Sequence, residues 1–124
     1  MELDFTEEYE MTDIMKLQNG SDIRGIACEG IEGEHVNLTE DAGNLIGGGF
    51  VRWLADKKGK RMEELRIGIG HDSRITADSL FAAAAKGIAA AGAKVYDCGL
   101  VSTPSMFMTT VFEEFAFDGA IMIT

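Results

Sequence analysis

Apolar positions along this chain change period repeatedly, from the three-to-four spacing of a helix face to the dense short runs of buried strands. Those changes mark out its elements. The stretch "FTEEYEMTDIMKLQNG" (5–20) predicts an opening helix with Phe5, Tyr9 and Met15 or Leu17 inward, stopped at Asn19-Gly20. "SDIRGIACEG" (21–30) follows as a strand running into a turn-rich stretch. "NLTEDAGNLIGGGFVRWLADKKG" (37–59) carries a helix signature: Thr39 as N-cap, Glu40 and Asp41 in the first turn, and Ile46, Phe50, Trp53 and Leu54 on one face.

The second half repeats the alternation. "LRIGIG" (65–70) is a strand, and "TADSLFAAAAKGIAAAG" (76–92) is an alanine-rich helix bounded by Thr76 and Gly92. "AKVYDCG" (93–99) is a further strand. "STPSMFMTTVFEEF" (102–115) opens with Ser or Thr as N-cap before Pro104 and offers Met106, Phe107, Val111 and Phe115 to a core. "DGAIMIT" (118–124) reads as a short strand buried on both faces. Strand–helix alternation without repeats or low-complexity linkers implies one α/β domain over residues 1–124, a layered α/β/α arrangement on a mostly parallel, mixed sheet.

Composition narrows the setting. A chain of 124 residues can bury one real core. No apolar run approaches the roughly 18–20 residues of a membrane span, and the acidic start "MELDFTEEYEMTD" is unlike a basic leader, so a cytoplasmic protein is expected. Cys28 and Cys98 lack metal-site spacing and read as free thiols. A formal net charge of −10 speaks against nucleic acid and anionic membrane as partners. The basic run "KKGKR" (57–61) falls at a helix end, where cations complement the helix dipole.

Candidate chemistry concentrates where α/β sheets gather ligands, beyond the carboxyl ends of strands. There stand Arg24 of "DIRG", and His71 and Arg74 of "GHDSR", suited to an anionic group. The triple glycine Gly47–Gly49 has no Gly-Lys-Ser/Thr after it and reads as a close helix contact, not a phosphate loop. "GIGHDS" (68–73) approaches a dinucleotide fingerprint, with Asp97 as a ribose-binding acid, but Ser73 replaces the third glycine and the helix begins near Thr76. A turn in which Asp72 pairs with Arg74 accounts for the same residues. His35 and His71 lack metal-ligand companions, and Ser73 beside Asp72 forms no nucleophile elbow.

"NGSDIRGIA" (19–27), "IGIGHDSR" (67–74), "DCGLVSTPSMFM" (97–108) and "DGAIMIT" together resemble the first domain of the α-D-phosphohexomutases, in the same order and over nearly the whole chain after the opening helix. The wording leans to the bacterial phosphomannomutase/phosphoglucomutase type, and "DIRG" leans away from the phosphoglucosamine mutases. In that family the last strand runs into a Thr-(Ala/Gly)-Ser-His-Asn-Pro loop whose serine carries the phosphoryl group. Thr124 matches its threonine, and the serine would come two positions later.

The resemblance implies an intramolecular phosphotransferase that interconverts hexose 1- and 6-phosphates through a bisphosphorylated sugar. It also implies Mg2+, hexose 1,6-bisphosphate as activator, a phosphosugar substrate and further domains of a longer chain as partners. Arg24 would support the phosphoserine, with His71 and Arg74 as weaker substrate-binding candidates and no metal ligand here. The chain is then expected to be a domain fragment, inactive alone. The alternatives are a small dinucleotide-binding domain and a non-enzymatic interaction module.

Overall fold

The computed structural model of the chain describes residues 15–19, 22–25, 27, 36–74 and 76–124. Phe5, Tyr9, Cys28 and His35 lie outside the described residues. Strands β1 (Gln18–Asn19) and β2 (Asp22–Ile23) form a small antiparallel pair. Helix α1 (Glu40–Lys58) and a single 3₁₀ turn lead into β3 (Arg66–His71). Helix α2 (Ala77–Ala90), β4 (Lys94–Leu100), the short helix α3 (Thr103–Met108) and β5 (Gly119–Ile123) complete the order.

The larger sheet has strand order β4-β3-β5, with both pairings parallel; among the described residues the antiparallel pairing is that of β1 with β2. Side chains alternate across β3. Ile67 and Ile69 are fully buried, and Ile67 joins Val51 and Leu54 of α1, Ile88 of α2, Leu65 and Ala93 in the main core. On the opposite face a side chain at Gly68 would run into Phe117, and one at Gly70 into Val101 and Met106. Helices α1 and α2 therefore cover one face and α3 the other, which is the expected α/β/α layering.

Helices α1 and α2 meet through glycine. A Cβ at Gly47 would collide with the Ala84 backbone, and one at Gly87 with the Asn44 backbone. This close approach is the contact expected of the triple glycine, although Gly49 has nothing within 4 Å. It also sets the rotation of α1. The buried face is Ala42, Gly43, Gly47, Val51 and Leu54, so Trp53 stays 56% exposed, stacked on Phe50, instead of entering the core.

Caps follow the sequence in part. Thr39 Oγ1 accepts the Ala42 N–H at 3.1 Å, and Ser102, not Thr103, caps α3 by accepting the Ser105 N–H at 3.3 Å. Thr76 makes no side-chain cap, because its own backbone is already helical (φ −86°, ψ −1°). Gly92, at φ +103°, ends α2 as expected.

Of the two inward candidates at the end of the opening stretch, Leu17 is buried and Met15 exposed; the chain enters β1 at Gln18, just before the expected stop at Asn19-Gly20. Two expectations fail. Helix α3 stops at Met108, where the Thr109 and Thr110 hydroxyls bond back to the Met106 and Phe107 carbonyls at 2.6 and 2.8 Å. With the helical period broken, Met106 stays buried while Phe107, Val111 and Phe115 are exposed; Phe117 fills the inner position instead. Strand β5 is an edge of the described sheet, so beyond Gly119 it is only half-buried, not covered on both faces.

One carboxylate anchors the start of β5. Asp118 Oδ1 accepts Lys58 Nζ at 3.0 Å and Lys60 Nζ at 2.8 Å, while Oδ2 accepts the Arg66 N–H at 2.8 Å. Burial by itself would raise the Asp118 carboxyl; the hydrogen bonds from Lys60, the Arg66 N–H and Lys58 outweigh it and hold it at about 2. The run "KKGKR" thus does more than complement a helix dipole.

Two predictions follow from this packing. Gly87→Ala should destabilise the fold by about 1–3 kcal/mol or more, because backbone must move to admit the methyl group, whereas Gly49→Ala should gain roughly 0.5–1 kcal/mol. Urea unfolding of the two variants checks the contrast. Because the folded Asp118 carboxyl titrates below its ordinary value, the folded chain binds fewer protons than the unfolded one between about pH 4 and pH 2. Its stabilisation, up to about 2 kcal/mol, is complete above that window and lost as pH falls through it. Asp118→Asn should be less stable at pH 7 and show a flatter loss of stability between pH 4 and pH 2.

Candidate functional site

Parallel pairing carries β3 and β5 to the same edge. Their register runs from Ile67 opposite Gly119 to His71 opposite Ile123, and the Asp72 N–H extends the ladder by donating to the Ile123 carbonyl at 3.0 Å. The next residues of the two strands therefore meet. Thr124 Oγ1 donates to Asp72 Oδ2 at 2.8 Å. Arg74 Nε donates to the same oxygen at 3.1 Å, and the Arg74 N–H reaches Asp72 Oδ1 at 3.1 Å.

This cluster joins Thr124 and Arg74 through Asp72. The Thr124 hydroxyl holds the Asp72 carboxyl below its ordinary value, helped by the Arg74 N–H and, less, by its guanidinium, against the opposing effect of burial. Asp72 is thus an acceptor-only carboxylate at neutral pH. Arg74 is 69% exposed, and among the described residues no acceptor engages its Nη atoms. The expected loop ion pair between Asp72 and Arg74 is present. The Thr124 contact was not anticipated, although parallel pairing of "RIGIGH" with "GAIMI" would have pointed to it.

His71 points elsewhere. Its Nδ1–H donates to the Asp72 carbonyl at 2.8 Å, and its ring meets the edge of Phe81 with centroids 5.5 Å apart. Arg24 stands on the β2 side, exposed, paired with Asp22 at 3.3 Å, with its N–H on the Leu17 carbonyl at 2.8 Å. Its described contacts do not reach Asp72, Arg74 or Thr124.

The dinucleotide alternative finds no geometry to favour it. Gly68 and Gly70 make room for Phe117, Val101 and Met106, and α2 starts only at Ala77. Asp97 is engaged in a bulge: Ile69 pairs with Asp97 but Gly70 with Gly99, and Asp97 Oδ1 accepts the Gly99 N–H at 2.7 Å. Cys98, the extra residue of that bulge, has its thiol pushed up by burial and by Asp97.

An apolar hollow of about 640 Å³ lies between β4 and α3, lined by Arg66, Met106, Phe112 and Phe117 among others. Asp72, Arg74 and Thr124 do not line it. Among the described residues no three His, Cys, Asp or Glu side chains converge to hold a metal ion. Among them, too, no helix is long and apolar enough to cross a membrane.

The profile of the phosphoglucomutase/phosphomannomutase family, α/β/α domain I, matches residues 15–124. The phosphoglucosamine mutase of Bifidobacterium animalis subsp. lactis is 34% identical over 90 residues, which cover 71% of this chain and 20% of that protein. The phosphoglucosamine mutase of Caldicellulosiruptor bescii is 35% identical over 109 residues, 88% of this chain and 21% of its own length. A probable phosphoglucosamine mutase of Methanocella arvoryzae is 39% identical over 82 residues, covering 64% and 18%. The chain spans about a fifth of the length of these curated relatives. Their names differ from the phosphomannomutase/phosphoglucomutase type to which the wording of the motifs leans. No solved structure matches the chain at a comparable level.

Thr124→Val keeps the shape of the side chain and removes its donor. The Asp72 carboxyl should then titrate higher, closer to an ordinary aspartate, as followed by carboxyl NMR across the acid range. An unchanged titration would mean that the Thr124 hydroxyl does not hold it.

Proposed function

The chain belongs to the phosphoglucomutase/phosphomannomutase family through that family's α/β/α domain I, and on this premise we propose that it forms the phosphoryl-transfer edge of a phosphohexomutase. The proposed reaction interconverts a hexose 1-phosphate and its 6-phosphate. A phosphoserine donates its phosphoryl group to the free hydroxyl of the sugar phosphate, the resulting bisphosphate reorients, and its other phosphoryl group returns to the serine. No atoms are gained or lost over the cycle.

The observation that carries this reading is the meeting of Thr124 with the Asp72–Arg74 pair at the carboxyl edge of β3 and β5. In the resembled motif the threonine at that point is followed two positions on by the phosphorylated serine. Strand β5 would then deliver the reacting segment to an edge already provided with a guanidinium, whose planar fork suits a phosphoryl group. Arg24 would add a second cation from the hairpin, and the negative charge spread over the transferring group would be met by such positioned donors. Hexose 1,6-bisphosphate would prime the serine. Magnesium, if the intact protein uses it, would be held by residues other than those described.

The names of the relatives add glucosamine phosphate to the glucose and mannose phosphates suggested by the motifs. The whole gene product containing this chain should convert at least one of the three 1-phosphates to its 6-phosphate in a coupled assay with magnesium and a trace of the bisphosphate. The 124-residue chain by itself should show no turnover above background. Arg24→Ala in the whole protein should lower turnover on the order of 100-fold. Inertness towards all three sugars would sink the reading, and a near-normal Arg24→Ala rate would remove that residue from the site.

A further inference from the structure

Asp72 has no role in the reading above beyond pairing with Arg74, yet it is where the two strand ends are joined. Its N–H continues the β3–β5 ladder to Ile123, and its carboxylate takes donors from Thr124, 52 residues away along the chain, on one side and from neighbouring Arg74 on the other. A carboxylate offers about four acceptor positions. Three are taken here, two of them on Oδ2, so the hydroxyl of Thr124 and the Nε of Arg74 are held against a common atom.

Resting on the proposed function, we infer that Asp72 is a positioning residue for phosphoryl transfer: it fixes the direction in which the chain leaves β5 and, with the same carboxylate, the orientation of the Arg74 fork. The carboxylate itself does not touch the reacting group. Its ionised form suits both partners: the guanidinium can only donate, and towards an ionised carboxylate the Thr124 hydroxyl donates as well.

The geometry makes the two effects inseparable. Thr124 fixes the approach of the segment that follows β5, because its hydroxyl and the Ile123 carbonyl are both tied to residue 72. Arg74 keeps its Nη donors clear, since its Nε and its backbone N–H are the groups spent on Asp72. Removing the carboxylate frees the Thr124 hydroxyl and the guanidinium at once, while the backbone bond from residue 72 to the Ile123 carbonyl remains. A displacement of about 1 Å at a reacting centre can cost on the order of 100-fold in rate, without a matching loss in substrate binding.

The test uses the whole gene product and compares Asp72→Ala, Asp72→Asn and Thr124→Val, with Asp72→Ala/Thr124→Val as the double variant. Asp72→Ala should lower kcat roughly 10- to 100-fold with KM for the sugar phosphate changed by no more than about threefold. Asp72→Asn, which retains one acceptor oxygen for Thr124 or the Arg74 N–H, should recover part of that loss. The double variant should lose little more than Asp72→Ala alone, because Thr124 has no partner once the carboxylate is gone.

A merely structural role would lower the melting temperature and leave kcat per folded molecule intact, and that outcome overturns the inference. So does a kcat within twofold of the parent, or additive losses in the double variant. If Asp72→Ala does not give a folded protein, Asp72→Asn against Thr124→Val carries the same comparison. If the parent protein turns over none of the sugar phosphates, the proposed function fails first and the inference falls with it. Activity in the parent with indifference to Asp72 sinks the inference alone.

Discussion

The Asp118 carboxylate is the constraint on which the placement of β5 depends. It binds the end of α1 through Lys58 and Lys60 and the start of β3 through the Arg66 N–H, while its own N–H returns to the Arg66 carbonyl at 2.8 Å. Desolvation opposes an ionised carboxylate whose side chain is only 5% exposed, and three donors overcome it. A slip of one residue along β3 would separate Asp118 from these donors and turn the faces of β5 over. With the near end fixed, the far end has one destination: Ile123 opposite His71, and Thr124 at Asp72. Two aspartates thus hold β5, Asp118 for register and Asp72 for exit.

The layers on either side serve the same end by different means. Helices α1 and α2 approach through Gly47 and Gly87, a contact too close for any side chain, and Val51, Leu54 and Ile88 of the pair pack with Ile67 in the main core. On the other face, Gly68 and Gly70 are spaces filled by Phe117, Val101 and Met106. Arg66 lies over the Tyr96 and Phe117 rings at 5.0 and 5.6 Å, bridging β3 to this aromatic layer. The glycines that invite comparison with nucleotide loops are therefore packing residues, consistent with a helix that begins too late to receive a pyrophosphate.

Much of this was readable in the sequence where the signal is local. Thr39 at a helix start, Gly92 after one, the alternation of Ile67 and Ile69 and the Asp72–Arg74 turn all depend on neighbours within a few residues. Several failures are positions decided by distant ones, while the early end of α3 is a local one. Trp53 belongs to a plausible apolar stripe with Ile46 and Phe50, yet the glycine contact with α2 rotates it outward. Phe107, Val111 and Phe115 keep helical spacing, but threonine hydroxyls end the helix before that spacing can act. The ties from Lys58 and Lys60 to Asp118, and from Thr124 to Asp72, span 52 to 60 residues. Only strand order and register make them visible. Arg24 was singled out by its place after a strand and by resemblance to a family, Thr124 by the resemblance alone, and the described contacts join Thr124, but not Arg24, to Arg74 through Asp72.

Charge gives the proposed site its remaining demand. With a formal net charge of −10, the chain repels a sugar phosphate over most of its surface, and at the β3–β5 edge the positive charge of Arg74 is shared with an ionised Asp72. The pair offers oriented donors with little net attraction. Arg24, itself beside Asp22, is similarly balanced. On the proposed function, then, this edge contributes direction more than binding energy. The attraction that holds a doubly charged phosphate would have to come from cations outside this chain. A chain that spans about a fifth of its relatives is compatible with that division, in which one surface aims the phosphoryl group and others hold the sugar.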